Sequence, residues 1–545
     1  MELWFTLAAI LLVLTLFLYT QWPPDLILGC GVGLLLASGV LTMGQATKGF
    51  ANEGVLTIAV LFVVASGLER SGGIAWATRY ILGRPKTEAG ARLRLLLPVV
   101  ALSGFINNTP LVAMLIPAVS DWCRRQGFQG SRFLLPLSYA ALLGGMCTLI
   151  GTSTNLVVSG LALERGLPPI SMFEVSRVGL PCALVGLVYL VWLAPRFLPK
   201  RVAPSEERGR SYQVRLELGA ECPWVGWLPE ATLFAPHYSS QTPLETGQVL
   251  TLDLSPEVLQ SLLEVSGVTL QGVQPKGPWV EVSLGAECPF LGDSWDPKDF
   301  FARYGLLPLG YPDQPQRGDC LLASVPATGN KEHKFEVFVV AEHQVVLRRL
   351  DRNAWTSLGL MGLMVVLAAG GFLSMLQAAL VTAGLMLALR CLDLNLARLS
   401  IDWPILIAIA LSFALSEAIQ TTGLDQILAE AVLQVGDGSP VLGLLVIFLV
   451  TSFLTELLTN NAAAVLMFPI GLSVAEMAQV NSTAFLFAVM LAASTSFASP
   501  MGYQTNLMVY GPGGYRFGDY LKLGLPLKFL TAAVATLLLP WAYPF

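Results

Sequence analysis

The residues Ser103, Asn107-Asn108-Thr109, Pro117 and Gly151-Thr152-Ser153-Thr154-Asn155-Leu156 form the stretch that decides the fold. The same order returns in the C-terminal half as Thr455, Thr459-Asn460-Asn461, Pro469 and Gly502-Tyr503-Gln504-Thr505-Asn506-Leu507. In each copy a hydroxyl residue stands five positions before the central asparagine, and a proline stands nine positions after it. Two matching groups of amides and hydroxyls within apolar sequence predict a paired binding site between two repeats of a membrane protein.

The rest of the chain has the composition of a membrane protein. Of its 545 residues, 54% are hydrophobic and only 13% are charged, which excludes an ordinary soluble globular protein. Many apolar runs reach about 20 residues, the length that spans a bilayer as a helix. The sequence has no basic run suited to nucleic acid, and its eight cysteines show no metal-binding spacing. It also contains no nucleophile–base constellation, so an enzyme is not expected.

The first membrane part is predicted to run over residues 1–200. Its first apolar run, residues 3–20, follows no Lys or Arg, whereas a cleavable signal peptide needs a positive leading segment. That run is therefore predicted to be the first transmembrane helix. The remaining predicted elements are helices at about 26–43 and 54–70, a hairpin at about 95–120, a broken helix at about 133–165 and a last helix at about 174–197.

Basic residues flank both ends of the segment 95–120, including Arg92 and Arg94 before it and Arg124 and Arg125 after it. Lys and Arg concentrate on cytoplasmic loops, so both ends are predicted to be cytoplasmic. A segment that enters and leaves on one side is a re-entrant hairpin with its polar tip near mid-membrane. The alternative is an ordinary helix kinked by proline, which would place one basic loop outside.

The second membrane part, residues 353–545, is predicted to repeat this plan in the opposite orientation. Its predicted elements are helices at about 355–373, 375–391 and 403–420, an acidic external loop at 422–440, a hairpin at about 441–474, a broken helix at about 484–510 and a last helix at about 525–542. Arg516, Lys522 and Lys528 are taken to mark the inside. The two parts together indicate an inverted-topology repeat with both termini extracytoplasmic.

The block between the membrane parts differs in composition and carries a repeat of its own. The segment Val214–Pro223 (VRLELGAECP) returns as Val280–Pro289 (VEVSLGAECP). Basic residues at both ends, Lys200 and Arg201 before and Arg348 after, predict a cytoplasmic location. The predicted fold class is an all-α polytopic membrane transporter with inverted-topology repeats and re-entrant hairpins, plus two small cytoplasmic α+β domains at 201–275 and 276–350.

The paired polar groups have the chemistry of a cation site. Sodium takes oxygen ligands, and freed backbone carbonyls, Asn amides and hydroxyls supply them. The tip around Asn108 with residues 151–155 would form one site, and Asn460 with residues 502–506 its counterpart. An anion could lie between the tips, because helix N-termini attract anions. The alternative is that the Asn and Thr side chains hold helices together. Glu456, the acid near one tip, could support the sodium site, carry a proton or form a salt bridge.

The segments Phe105–Pro110 and Thr455–Ala462 resemble the two Ser-Asn-Thr hairpin tips of the divalent anion/sodium symporter family. The breaks Gly151–Asn155 and Gly502–Asn506 resemble that family's Gly/Ala-Thr-Pro-Pro-Asn segments. The resemblance covers nearly all of residues 1–200 and 353–545. The middle block resembles two tandem copies of the C-terminal lobe of potassium-conductance regulators, the TrkA-C domain.

The resemblance implies particular residues for each role. The implied sodium ligands are Ser103, Asn108 and Gly151 in one site and Thr455, Asn460 and Gly502 in the other, with Asn155 and Asn506 completing the two breaks. The implied substrate contacts are Asn107, Asn108, Thr109, Thr152, Thr459, Asn460 and Asn461, with Thr505 from the second break. The resemblance further implies an elevator-type transporter, a homodimer in lipid and a location in the plasma or inner membrane.

The expected substrate is inferred from the positions at which this sequence differs from the family's Ser-Asn-Thr tips and Pro-Pro breaks. Asn107 and Asn461 replace the motif's first Ser and last Thr, and neither break has Pro-Pro, whereas dicarboxylate carriers usually keep the full motifs. Members with regulator-like inserts resemble the sulfate permeases of bacteria and algae. Sodium-coupled sulfate uptake is therefore expected, regulated by cytoplasmic domains that could bind a small ligand. The alternatives are a di- or tricarboxylate or bicarbonate carrier, an arsenite-type efflux protein, proton coupling, and a channel or sensor gated by the inserted domains.

Overall fold

A computed structural model describes residues 1–20, 22–70, 85, 87–199, 212–226, 243–254, 259, 262–263, 265–270, 279–284, 296, 301, 306–311, 320–324, 337–342 and 352–545. Helices dominate the two outer parts of the chain, and strands lie in the block between them. Five of the described helices are long and apolar enough to cross a membrane, which fits the predicted polytopic membrane protein. They are Met43–Leu68, Ser176–Phe197, Trp403–Thr421, Pro440–Leu457 and Phe517–Ala542.

The first membrane part has helices close to the predicted positions. They are Glu2–Tyr19, Pro24–Ala37, Met43–Lys48, Glu53–Arg70, Glu88–Ser103, Asn108–Gln126, Leu134–Gly145, Ser153–Glu164 and Ser176–Val188, the last continuing through a π-helical turn, Tyr189–Leu193, into Ala194–Phe197. The pair Glu88–Ser103 and Asn108–Gln126 is called the first hairpin below. Residues 146–152, which separate Leu134–Gly145 from Ser153–Glu164, are called the first break.

The second membrane part has its helices in a similar order, with Leu424–Val435 as an additional described helix before the hairpin. They are Arg352–Ala369, Met375–Ala388, Leu394–Leu399, Trp403–Thr421, Leu424–Val435, Pro440–Leu457, Asn460–Met477, Ser482–Ala493, Gln504–Tyr510 and Phe517–Ala542. Pro440–Leu457 and Asn460–Met477 are the second hairpin. Residues 494–503, between Ser482–Ala493 and Gln504–Tyr510, are the second break.

Three expectations about charged segments differ from the structure. The segment 422–440, expected to be a loop, contains the helix Leu424–Val435, whose Asp425 is buried with only 7% exposure. Arg92, expected in a basic loop, lies inside the first hairpin helix, 4% exposed, where its Nε donates to the Val191 carbonyl at 3.0 Å. Lys528, expected to mark the cytoplasmic face, lies within Phe517–Ala542 and is fully buried. Buried partners thus override the simple rule that places charge in loops.

In each membrane part, the backbone of the break lies in close contact with a glycine of the last helix. A Cβ on Gly179 would overlap the Met146 carbonyl, and a Cβ on Gly524 would overlap the Phe497 carbonyl. Met146 and Phe497 stand 351 positions apart, the same offset that relates Gly151 to Gly502. Only glycine allows the backbones to approach this closely, so both parts hold their breaks in the same way.

The described strands of the middle block form two antiparallel sheets. One has the order Val249–Leu254, Tyr212–Leu218, Val268–Leu270. The other has the order Leu307–Gly310, Cys320–Ser324, Trp279–Leu284, Val337–Glu342. The second copy of the sequence repeat, from Gly285 onward, lies outside the described residues, as do Lys200, Arg201 and Arg348. The TrkA-C-like assignment and the cytoplasmic location of the block stay predictions.

Candidate functional site

An oxygen-rich cluster lies where the first hairpin turns. The Ser103 hydroxyl is within hydrogen-bonding distance of Asn108 Oδ1 and lies 2.7 Å from the Ala141 carbonyl oxygen. Both side chains are buried, with exposures of 0% and 1%. A hydroxyl carries one proton, so it can donate to only one of the two oxygens that it faces. Three oxygens thus share one proton, an arrangement that favours a small cation.

The first break lies directly against this cluster. Asn155 Nδ2 donates to the Thr148 carbonyl at 2.8 Å, and the Gly151 N–H donates to Thr148 Oγ1 at 3.1 Å, so the unwound backbone is held by side chains. A Cβ on Gly151 would lie 3.0 Å from the Ser103 carbonyl oxygen. The structure therefore brings together Ser103, Asn108, Gly151 and Asn155, the four residues expected at the first cation site. Asn155 Oδ1 is buried and has no hydrogen-bond partner within the described part of the chain.

The second hairpin carries the counterpart of this cluster. Thr455 Oγ1 lies 2.7 Å from Asn460 Oδ1 and 2.8 Å from the Ala493 carbonyl oxygen, matching the contacts of Ser103. Ser496 adds a second hydroxyl, 2.9 Å from Asn460 Oδ1 and 3.1 Å from the Thr455 carbonyl. Five oxygens here share two protons, again an excess of acceptors.

The second break is held as the first one is. Asn506 Nδ2 donates to the carbonyls of Ser496 at 2.7 Å and Ser499 at 3.0 Å. The Gly502 N–H donates to Ser499 Oγ at 3.2 Å, as Gly151 does to Thr148. Sequence reasoning missed Ser496, because its counterpart in the first part is Gly145 and no repeat pattern marks it.

Each hairpin tip contacts the helix that follows the other part's break. Thr109 Oγ1 lies 3.2 Å from Gln504 Oε1, and Asn461 Oδ1 accepts from Ser153 Oγ at 3.2 Å. Thr109 corresponds to Asn461, and Ser153 corresponds to Gln504. The two contacts are therefore equivalent, but the tip supplies the hydroxyl in the first contact and the amide in the second. These reciprocal tip contacts bring both hairpins and both breaks to one place.

The remaining expected site residues take different positions. Asn107 and Thr459 begin the second helix of each hairpin, where Asn107 Oδ1 accepts from the Thr109 N–H at 3.4 Å and Thr459 Oγ1 from the Ala462 N–H at 3.3 Å. Thr152 is 7% exposed and directly precedes the helix Ser153–Glu164. Thr505 is fully buried, and its hydroxyl is 2.7 Å from Ser138 Oγ, so its hydrogen bonding is internal.

A buried ion pair lies beside the second cluster. Lys528 Nζ is 2.7 Å from Glu456 Oε1, and the two side chains are 0% and 9% exposed. The Ala498 N–H also donates to Glu456 Oε1 at 2.8 Å, and Lys528 Nζ donates to the Ser452 carbonyl. Of the three roles considered for Glu456, the structure shows the salt bridge. The first part has Gly104 in the corresponding place, so the pair belongs to one half alone.

Comparison with known proteins agrees with the membrane architecture. The family model described as a citrate transporter, CitMHS, matches residues 9–490. The chain belongs to this citrate transporter family. The chain is thus a membrane transporter, as expected from its resemblance to the divalent anion/sodium symporters.

Individual relatives of this CitMHS member span nearly its whole length. A protein of Chlamydomonas reinhardtii named as a sulfur deprivation response regulator is 33% identical over 94% of this chain and 96% of its own. An uncharacterized transporter of Synechocystis is 30% identical over 99% of this chain and 97% of its own. Sodium/sulfate cotransporter 1 of Chlamydomonas reinhardtii is 24% identical over 92% of this chain and 85% of its own.

Among solved structures, the YdaH transporter of Alcanivorax borkumensis aligns over 99% of this chain and 96% of its own with a TM-score of 0.48 and 14% identity. Likeness at that level supports no inference about residues or substrate.

Proposed function

We propose that this transporter couples the uptake of a divalent anion, sulfate, to the entry of sodium. The observation that carries the proposal is the pair of matched oxygen clusters, at Ser103–Asn108 and at Thr455–Asn460. Each cluster has more acceptor oxygens than protons and no carboxylate among these contacts. A monovalent cation would supply the missing positive charge. The proposed sodium ligands are Ser103, Asn108, Gly151 and Asn155 in one site and Thr455, Asn460, Gly502 and Asn506 in the other.

The anion would bind between the two tips. The helices Asn108–Gln126 and Asn460–Met477 both begin there, and helix N-termini offer free N–H groups and partial positive charge. Bound sodium would add further positive charge close by. The Lys528 charge is already paired with Glu456, so neutral hydrogen-bond donors would bind the anion. The proposed substrate contacts are Asn107, Asn108, Thr109, Thr152, Thr459, Asn460 and Asn461; the internal hydrogen bond of Thr505 gives that residue a supporting place.

The proposal includes the wider architecture expected from the sequence. The two membrane parts are inverted-topology repeats whose hairpins enter from opposite sides of the plasma or inner membrane. Hairpins and broken helices move together as an elevator against the other helices, in a homodimer. The blocks 201–275 and 276–350 are cytoplasmic TrkA-C-like domains that regulate transport. The reciprocal tip contacts support the repeat relationship, because they relate the two membrane parts by exchange of equivalent positions.

Two observations bear on the choice of anion. Relatives that span the chain are named sodium/sulfate cotransporters and a sulfur deprivation response regulator, which favours sulfate. The family description names citrate, which favours a tricarboxylate as the second candidate. The departures at Asn107 and Asn461 from the tips of dicarboxylate carriers add weight to sulfate.

Purified protein in proteoliposomes tests the proposal directly. Uptake of labelled sulfate should require an inward sodium gradient, and unlabelled sulfate should compete better than succinate, citrate or bicarbonate. Sulfate uptake that is equally fast with potassium in place of sodium would contradict sodium coupling. Sodium-dependent uptake of labelled citrate without uptake of labelled sulfate would replace the first candidate with the second.

A further inference from the structure

One pair of equivalent positions in the two halves of the site carries side chains of very different size. Thr152 and Tyr503 each precede the helix that follows a break, and both backbones are extended, with φ −142° and ψ 144° against φ −151° and ψ 143°. Neither side chain caps its helix. The backbone thus presents the two side chains in the same way, while a phenol stands in one place and a short hydroxyl in the other.

The phenol of Tyr503 reaches across to the opposite hairpin tip. Asn108 Nδ2 donates to Tyr503 Oη at 3.2 Å, so the amide donor of the first tip is satisfied by a residue of the second part. Asn108 Oδ1 faces Ser103 instead, which fixes the orientation of the amide. Tyr503 therefore supplies an oxygen at the position where the first tip offers an N–H.

The second tip lacks this partner. Asn460 corresponds to Asn108, and its Oδ1 is turned in the same way toward the hydroxyl of Thr455. Asn460 Nδ2 is buried and has no acceptor among the described residues. The residue equivalent to Tyr503 on this side is Thr152, whose hydroxyl ends well short of where a phenol oxygen would lie. A buried amide without an acceptor is costly, and such groups in native proteins call for a ligand or water as partner.

We infer that Tyr503 acts as an internal substitute for substrate at the first tip, so that the site accepts a single-headed oxyanion at the Asn460–Thr152 side and excludes substrates with two anionic ends. One oxygen of a tetrahedral dianion accepts a hydrogen bond from Asn460 Nδ2, in the space that a tyrosine at position 152 would fill. The inference rests on the proposed function and narrows its substrate contacts to those on the Asn460–Thr152 side.

The geometry explains selection by shape as well as by charge. A dicarboxylate that bridges both tips would need the amide donors of Asn108 and Asn460 together, one for each end. In this chain one N–H of Asn108 already donates to Tyr503 Oη, and the phenol ring fills the space beside the amide. Sulfate needs only one such place. Tyr503 is thus a specificity-determining residue, and no part of it has to bind sulfate.

Variants at the two equivalent positions test the inference in proteoliposomes, with labelled sulfate as the transported anion and succinate as the competitor. Tyr503→Thr makes the two sides alike and should strengthen inhibition by succinate about tenfold, the effect of one charge-assisted hydrogen bond. Tyr503→Phe keeps the ring and should still exclude succinate. Tyr510→Phe is the matched control and should change neither property, because Tyr510 lies at the other end of the helix Gln504–Tyr510 and stacks on Tyr520.

Thr152→Tyr provides the reciprocal test. It should place a phenol on Asn460 and abolish sulfate uptake, while size-exclusion profile and thermal stability stay close to those of the unaltered protein. Folded Thr152→Tyr protein that transports sulfate normally would overturn the inference. So would Tyr503→Thr protein that transports sulfate and resists succinate as before. Failure of the unaltered protein to transport sulfate at all would instead overturn the proposed function.

Discussion

Replacing Lys528 by methionine should destabilise the protein through a carboxylate left without its counter-charge. Lys528 Nζ lies 2.7 Å from Glu456 Oε1, and both side chains are buried. After the change Glu456 keeps the N–H of Ala498, while its second oxygen, Oε2, has no partner among the described residues even in the unaltered protein. Removing one member of a buried ion pair typically costs about 3–5 kcal/mol.

The cost of protonating Glu456 gives a second estimate of the loss of stability, and it has a similar magnitude. The orphaned carboxylate can escape its charge by taking up a proton, and protonating an ordinary glutamate at pH 7 costs about 4 kcal/mol, since each pH unit above 4.3 adds about 1.4 kcal/mol. The same step costs about 1 kcal/mol at pH 5. The loss of stability in Lys528→Met should therefore be several kcal/mol at pH 7 and much smaller at pH 5.

Thermal unfolding of purified protein in detergent, at pH 7 and pH 5, measures this loss. The double variant Lys528→Met with Glu456→Gln should recover most of the stability, because Gln still accepts from Ala498 and carries no charge. Lys522→Met is the matched control on the same helix, since Lys522 is exposed, and it should leave the unfolding midpoint unchanged. A single variant as stable as the unaltered protein at pH 7, or a double variant no better than the single, would refute the reasoning.

Three further predictions follow from the site and its supports. Asn108→Ala and Asn460→Ala should each abolish sodium-dependent sulfate uptake while membrane insertion stays normal, and sodium dependence unchanged in both would contradict the cation sites. Gly524→Ala should destabilise by about 1–3 kcal/mol, because its Cβ would overlap a carbonyl of the second break, whereas Gly518→Ala on the same helix meets nothing and serves as the control in thermal unfolding. Deletion of 205–345 should leave a protein that inserts and transports with altered regulation; complete loss of insertion, measured by membrane fractionation, would show that the block is structural.

The sequence predicted where the helices on either side of each turn and each break lie, because repeated spacing is a strong signal. The re-entrant course of the hairpins stays a prediction. The hydroxyl five residues before each asparagine anticipated the contacts of Ser103 with Asn108 and of Thr455 with Asn460. Unwinding was expected where glycine, threonine and asparagine cluster within apolar sequence. The helices observed around both breaks agree with that expectation.

Features that depend on contacts distant in sequence could not be predicted in the same way. Glu456 and Lys528 pair across 72 positions, and a lysine near a helix start is ordinarily read as a cytoplasmic marker. Asp425 made its segment look like an external loop, although Ser473 donates to Asp425 Oδ2 at 2.6 Å and so helps to stabilise the acid within a helix bundle. In each instance a partner elsewhere in the chain changes the preferred environment of a charged group.

The reciprocal tip contacts have a consequence for how the protein is made. Thr109 and Gln504 are 395 positions apart, so a ribosome that adds about 5–20 residues per second completes the partner roughly 20 to 80 s after the first tip. During that interval the first hairpin must remain in the bilayer with its amides facing lipid, water or an insertion factor. The nascent chain is therefore most exposed to quality control after its first half is inserted and before its second half arrives.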